Sequence, residues 1–395
     1  MPDAKWKSTL RRKLLKWFDE NQRDLPWRKN KTPYRIWVSE IMLQQTQVAT
    51  VVDYYKRFIK RFPTVKKLAA AKEAEVLKLW EGLGYYRRAR QLHAAAKLVV
   101  DQHGGKFPTD FDSVLALPGI GRYTAGAIVS ISLDQQQPIL EGNTIRLFAR
   151  LMEMKSDPRT TSNQKALWEF SESILPRKRC GDFNQSLMEL GSEICHPKRP
   201  QCLICPIRDL CPTAIKGLQE SIPVATKKIK YQELNEAVVV VKRGNKFLVR
   251  QCGADERWAG LWDFPRFEIG RSAPGGLPTD KSKNISKSNA KTRLKRVDWT
   301  DNSDGSNKPD GLNLAIAKTL KHQTGLAVSL VKTPKQLKHA VTKYRITLDC
   351  YVADKATGRL KRNSNLKWMT IEQVQAAPMS GTGRKIASWI NEKLV

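Results

Sequence analysis

Glu141 follows a stretch that reads as an anion site. From Leu117 to Arg150 the chain runs LPGIGRYTAGAIVSISLDQQQPILEGNTIRLFAR: a Leu-Pro-Gly-Ile-Gly turn, an alanine- and isoleucine-rich helix, a loop carrying Glu141, and a second apolar helix. Gly119 and Gly121 are expected to let the chain turn tightly with bare amides exposed. The helix starting near Arg122 adds the positive end of its dipole, a setting that suits phosphate. An ordinary glycine-capped helical turn explains the same stretch equally well. A second acid, Glu40, stands in a helical run where Ile36, Trp37, Ile41 and Leu43 look like packing positions. A lone acid in a helix usually faces solvent, but a buried one has its pKa raised and becomes a candidate proton donor. The third chemical feature is Cys195, Cys202, Cys205 and Cys211, spaced C-x6-C-x2-C-x5-C. Four thiolates this close can wrap one metal centre, either structural zinc, the commoner choice on spacing alone, or a cubane iron-sulfur cluster.

The composition bounds the protein that must position these groups. A chain of 395 residues suggests two or three domains, and 41% hydrophobic residues with eleven tryptophans can fill their cores. Lys+Arg 70 against Asp+Glu 38 leaves +32, which makes nucleic acid the leading partner over a merely solvated basic surface or acidic membrane. No apolar run reaches transmembrane length, and MPDAKWKSTLRRKLLKWF lacks a secretory core. A soluble, cytoplasmic protein without membrane contact is expected, with organelle targeting left open. Seven unevenly spread cysteines argue for one metal site in a reducing compartment rather than a disulfide framework.

Helical spacing runs from Trp6 to Phe18 and breaks at Leu25-Pro26-Trp27-Arg28. TPYRIWVSEIMLQQTQVATVVDYYKRFIKRF reads as two helices separated near Gln44-Gln45-Thr46. A further helix stops at Gly82 and Gly84, and Tyr85-Tyr86-Arg87-Arg88 then sets aromatics beside a basic cluster, as on surfaces that stack on bases and pair with phosphates. Residues 1–216 are thus expected to be all-helical, with a hairpin at about 112–133 and a metal loop at 195–211. A basic linker at 217–234 leads to a smaller α/β domain, 235–395. Its strands are expected at 237–241, 246–250, 326–331 and 346–352, and its helices near 314–323, 371–376 and 383–394. Residues 271–311, rich in Ser, Asn, Lys, Gly and Pro, read as a mobile basic insertion.

LPGIGRYTAGAI resembles the helix-hairpin-helix element of the DNA glycosylase superfamily, and the cysteine pattern resembles the iron-sulfur loop of its endonuclease III branch. WVSEIMLQQTQVATV, GLGYYRRARQLH and PILEGNTIRLFARL are similar to segments that mark adenine DNA glycosylases of the MutY type. With the C-terminal domain, the likeness covers nearly the whole chain apart from 271–311. It implies an all-α helix-hairpin-helix glycosylase domain with a 4Fe-4S cluster on Cys195, Cys202, Cys205 and Cys211, and a C-terminal α/β Nudix-like domain. It also implies a monomeric base-excision-repair enzyme acting on double-stranded DNA, hydrolysing the N-glycosidic bond of adenine mispaired with 8-oxoguanine or guanine. Adenine needs a proton to leave while the sugar gains cationic character, so one protonated and one ionised carboxyl are required. By resemblance Glu40 protonates the base and residue 141 stabilises the cation. Tyr123 lies against the 141 carboxylate, and Asn143 is its hydrogen-bonding neighbour. The base must be flipped out. Gln45 and Tyr85 match residues that insert into the duplex, Thr46 one that contacts the opposite base, and Arg28 and Gln185 pocket positions. Gln44, Arg88, Gly119 and Gly121 complete the expected DNA-contacting set.

The chain departs from the family pattern in two places and differs from Nudix hydrolases and from lyase-competent relatives in two more. Where the motif reads Asp-Gly-Asn, this chain has Glu141-Gly142-Asn143. A displacement of about an ångström costs on the order of a hundredfold in rate, so a catalytically weakened mismatch-binding protein is the alternative reading. The helix of the second domain carries Lys318, Lys321, His322 and Gln323 where a Nudix hydrolase needs glutamates for magnesium, which implies reading a nucleotide rather than hydrolysing it. The family's Phe-Ser-His loop is replaced by Val341-Thr342-Lys343 after His339-Ala340, leaving Thr342 as the hydroxyl for the lesion. Tyr123 stands where lyase-competent relatives carry a Schiff-base lysine, so a monofunctional enzyme is expected.

Overall fold

The computed structural model describes residues 2–224, 231–272, 310–362 and 365–393. Most of the basic stretch 271–311 and the middle of the expected linker, 225–230, lie outside them. The chain divides into two compact units, Met1–Lys227 and Lys228–Val395. No described helix is long and apolar enough to cross a membrane.

Helices build the first unit: α1 (Ala4–Asn21), α2 (Pro26–Lys29), α3 (Pro33–Leu43), α4 (Val48–Arg61), α5 (Val65–Ala69), α6 (Glu73–Trp80), α7 (Arg87–His103), α8 (Phe111–Leu115), α9 (Arg122–Leu133), α10 (Gly142–Leu151), α11 (Thr161–Ser173), α12 (Cys180–Glu193) and α13 (Pro212–Ile215). Among the described residues this unit contains no strand, as the helical spacing predicts. Helix α1 starts where the Asp3 carboxylate accepts the Trp6 N–H at 2.7 Å, and it buries Leu10, Leu14 and Phe18 on one stripe. Helix α9 is different: every residue from Thr124 to Ile131 is buried, because α3, α8 and α12 pack around it. Close approach depends on small residues. A Cβ on Gly181 of α12 would lie 2.4 Å from the Ser130 carbonyl oxygen on α9. This central helix brings the start of α9, the end of α3 and the middle of α12 together.

The second unit is a mixed seven-stranded sheet: β1 (Gln232–Arg243), β2 (Lys246–Gln251), β3 (Trp262–Asp263), β4 (Arg266–Ser272), β5 (Leu326–Val341), β6 (Tyr344–Gly358) and β7 (Leu366–Thr370). Their order is β3-β2-β1-β6-β5, with β4 pairing β1 and β7 pairing β2; among the described residues only the β1–β6 strand pair is parallel. The middle of strand β1, Ala237 to Val241, is an unbroken apolar run because both faces are covered. Val238 and Val240 pack with Val374, Ile386 and Ile390 from α15 (Ile371–Ala376) and α16 (Gly381–Lys393). Ala237, Val239 and Val241 pack with Ile316 and Leu320 of α14 (Asp310–Thr324). The later strands are longer than expected. β5 and β6 form one hairpin turning at Thr342-Lys343, since ladder pairing extends strands through their polar ends. Short strands β3, β4 and β7 have too little period-two pattern to be read from sequence.

Candidate active site

Glu40 sits in the last turns of α3, where Ile36 to Met42 are all buried, and is itself only 5% exposed. Burial pushes its carboxyl up to about 7, against the hydrogen bond from Tyr123 and the charge of Arg28 and with help from the charge of Glu141. Tyr123, in the first turn of α9, donates its hydroxyl to Glu40 Oε2 at 2.7 Å. The hydroxyl is thus bonded to Glu40, while the charge of Glu141 also acts on the phenol. Packing of α9 on α3 turns its first residues toward Glu40, while the Glu141 carboxylate is taken up by its own helix. Burial first, then the charges of Glu40 and Glu141, hold the Tyr123 phenol far above its ordinary pKa, so it stays a neutral donor.

Glu141 is the N-cap of α10. Its Oε1 accepts the backbone N–H groups of Asn143 and Thr144, both at 2.9 Å, and its own N–H donates to Thr144 Oγ1 at 2.8 Å. The carboxylate thereby satisfies two orphan amides of the first turn. Burial raises its pKa, while those amides and the Arg146 charge pull the other way. Asn143 neighbours Glu141 through its backbone; its side-chain Oδ1 instead accepts from Arg146 Nη2 at 2.8 Å. Arg146 also donates to the Cys195 carbonyl at 2.7 Å, which links the α10 start to the cysteine loop.

The hairpin needs a left-handed residue only at Gly119, φ +81°, where a Cβ would also meet Gln91 Cβ at 2.8 Å. Gly121 departs from expectation: it is the N-cap of α9 in extended conformation, φ −104°, with open space around an added Cβ. Gln44 donates to Thr124 Oγ1 at 3.4 Å, and Thr46 donates to the Gln44 carbonyl at 3.3 Å. Gln45 and Tyr85 share an unexpected property. Both are left-handed, at φ +56° and +47°, and Tyr85 is 56% exposed. Arg88 is not the surface cation that the basic cluster suggested. It is 8% exposed and donates to the carbonyls of Ile41, Met42 and Gln44, because the end of α3 leaves acceptors that need a donor.

Arg28 and Gln185 do meet: Arg28 Nε donates to Gln185 Oε1 at 3.2 Å, and its guanidinium lies 5.1 Å from the Phe18 ring. Arg28 is anchored by a residue that sequence reading missed, Glu189, which accepts from Arg23 Nη2 and Arg28 Nη2, each at 2.8 Å. The available signal was its spacing, four residues after Gln185 on one helix face. Thr342 belongs to the second unit, at the exposed β5–β6 turn, with φ +53°.

Cys195, Cys202, Cys205 and Cys211 are all free thiols and border one small cavity of about 20 Å³, backed by Leu147, Ile194 and Ile207. Among the described residues, no three or more His, Cys, Asp or Glu side chains are drawn together as a single-ion site. The Arg150 guanidinium reaches this cavity and lies 3.0 Å from Cys195 Sγ.

The family described as HhH-GPD superfamily base excision DNA repair protein matches residues 38–173, which run from just before Glu40 through α11. The adenine DNA glycosylase of Rattus norvegicus is 46% identical over 213 residues, 52% of this chain and 41% of its own length. A thermostable thymine-DNA glycosylase superimposes with a TM-score of 0.50 at 30% identity, over 54% of this chain and 100% of its own. The adenine DNA glycosylase of Buchnera aphidicola subsp. Acyrthosiphon pisum (strain APS) is 40% identical over 256 residues, 65% of this chain and 73% of its own. Identity at that level over most of a relative's length is common descent rather than shared architecture alone, and the chain belongs to the adenine DNA glycosylase family.

Proposed function

We propose that this chain hydrolyses the N-glycosidic bond of adenine mispaired with 8-oxoguanine or guanine in double-stranded DNA, without strand cleavage. As a family member it is a DNA glycosylase, a hydrolase of base excision repair. The observation that carries the mechanism is Glu40: a buried carboxyl with a pKa of about 7 is substantially protonated at neutral pH and can give its proton to a leaving base. Tyr123 occupies Oε2, which leaves Oε1 to carry the proton toward a flipped adenine. Glu141 supplies the opposing charge; its Oε1 faces the helix amides, leaving Oε2 for the sugar as it becomes cationic. Arg28 and Gln185 shape the base pocket, and Gln45, Tyr85 and Thr46 fill and read the gap left in the duplex. Gln44 braces that loop, and the amides at Gly119 and Gly121 grip a phosphate.

The four cysteines are proposed to hold a 4Fe-4S cluster. Thiols spread around a cavity suit a group with several metal corners better than one zinc, whose sulfurs converge at about 2.3 Å from a single point. When bound, the cluster cross-links the 195–211 loop. In the second unit, Nudix-like by proposal, Thr342 at the exposed turn reads the lesion and Lys343 meets phosphate.

A second reading draws on Glu141 itself. Its carboxylate is committed to capping α10 and its pKa is raised, both of which weaken cation stabilisation and favour a mismatch binder with slow turnover. A single-turnover assay on a duplex with adenine opposite 8-oxoguanine, followed by alkali, separates the two. Alkali-labile product supports the enzyme; tight binding without it leaves the binder. A strong borohydride-trapped DNA adduct would overturn the monofunctional assignment.

A further inference from the structure

Arg88 joins two segments far apart in sequence. Its Nη1 donates to the carbonyls of Ile41 at 2.8 Å, Met42 at 3.0 Å and Gln44; its Nη2 donates to Thr46 Oγ1 at 3.2 Å and to the carbonyls of Leu83 and Gly84, both at 3.4 Å. Its guanidinium carbon lies 5.5 Å from the Trp80 ring centre and 5.4 Å from that of Tyr85. One planar cation therefore clasps the end of α3 and the loop before α7. These segments carry Gln45 and Tyr85, whose left-handed backbones persist only where surrounding structure holds them.

We propose that Arg88 is a positioning residue that locks the Gln45 and Tyr85 loops into a single rigid double wedge, which opens the duplex as one unit. The proposal rests on the reading of Gln45 and Tyr85 as inserting residues. A lysine keeps the charge but cannot span both loops, because its donors radiate from one point rather than from a flat fork. Burial lowers the Arg88 pKa to about 10, which still leaves it charged at neutral pH.

The test uses the full chain and a duplex with 2-aminopurine beside the target adenine, opposite 8-oxoguanine, following fluorescence as the base is extruded. Gln45→Ala, Tyr85→Ala and the double variant are compared in Arg88 and Arg88→Lys backgrounds. With Arg88 present, each single variant is expected to slow extrusion about tenfold, and the double to be no slower than the worse single. In the Arg88→Lys background the two effects should multiply independently. With Arg88→Met, which removes the charge, the salt dependence of binding to undamaged duplex should not change, since Arg88 neutralises no phosphate; loss of about one unit of slope would mark a phosphate contact and overturn the proposal. Coupling that survives Arg88→Lys also overturns it. If circular dichroism shows Arg88→Lys unfolded, Thr46→Val, which removes one Nη2 bond, decides: weaker coupling supports the clasp, unaltered coupling overturns it. Single variants that leave extrusion unchanged overturn the insertion reading itself, and the clasp with it.

Discussion

Glu40 and Glu189 are the same side chain in the same kind of place. Each is on a helix in the interior of the first unit, 5% and 1% exposed. Yet Glu40 is pushed up to about 7, whereas Glu189 is held down to about 2. Burial raises both; at Glu189 the hydrogen bonds of Arg23 and Arg28 and the Arg28 charge more than reverse it, while Glu40 has one phenol and feels the Glu141 charge. Burial makes a carboxyl sensitive, and its partners choose its charge. The protein thereby sets a proton donor and a permanent anion around one arginine, Arg28, which bonds Glu189 and whose charge acts on Glu40.

The sharpest way to break that comparison is Glu40→Gln. It should reduce single-turnover excision by about a hundredfold to ten-thousandfold, the range for removing a general acid, with mismatch binding retained; an unchanged rate would remove Glu40 from the mechanism. Glu189→Gln strands the buried Arg28 guanidinium, Arg23 keeping Glu193 at 2.7 Å, and should cost about 3 kcal/mol of unfolding free energy, read by denaturant titration. Its pH dependence has the opposite sign to that of Glu40. Stability supplied by Glu189 is present above the unfolded carboxyl pKa and lost as pH falls toward about 2.

Glu40, with a folded pKa above its unfolded 4.5, makes the protein more stable below that value and less so as pH rises through about 7. Glu40→Gln should therefore gain up to about 3 kcal/mol over the parent at pH 8 relative to pH 4, an inactive but sturdier protein. Equal pH profiles would show that Glu40 titrates normally. The smallest effect expected is that of Glu141→Asp. Restoring the family's aspartate removes the displacement of the carboxylate by one methylene and should raise excision by about tenfold, while a fall would show that this chain is built around glutamate.

Much of this was legible beforehand. Helix α3 with its apolar flanks, the turn before α9 and the cysteine spacing all show as local pattern, since they depend on residues within one or two turns of each other. Glu189 was hidden because its partners, Arg23 and Arg28, lie on a different part of the chain. Arg88 was misread for the same reason: an arginine among arginines looks like surface until a helix end is found pointing at it. The short strands of the second unit escaped because pairing, rather than composition, defines them.

Sequence alone determined the types and order of the chemical groups: two carboxyls, a tyrosine in place of a lysine, four spaced cysteines, and a glutamate where the family has aspartate. It also carried the family, because long motifs retain their order through descent. Tertiary structure decided their states. Packing of α9 against α3 directs Tyr123 to Glu40, α10 draws the Glu141 carboxylate onto its own amides, and α12 brings Glu189 to Arg28. Charge in a buried group depends on what is within a few ångströms through space, and the chain's order along sequence does not contain that distance.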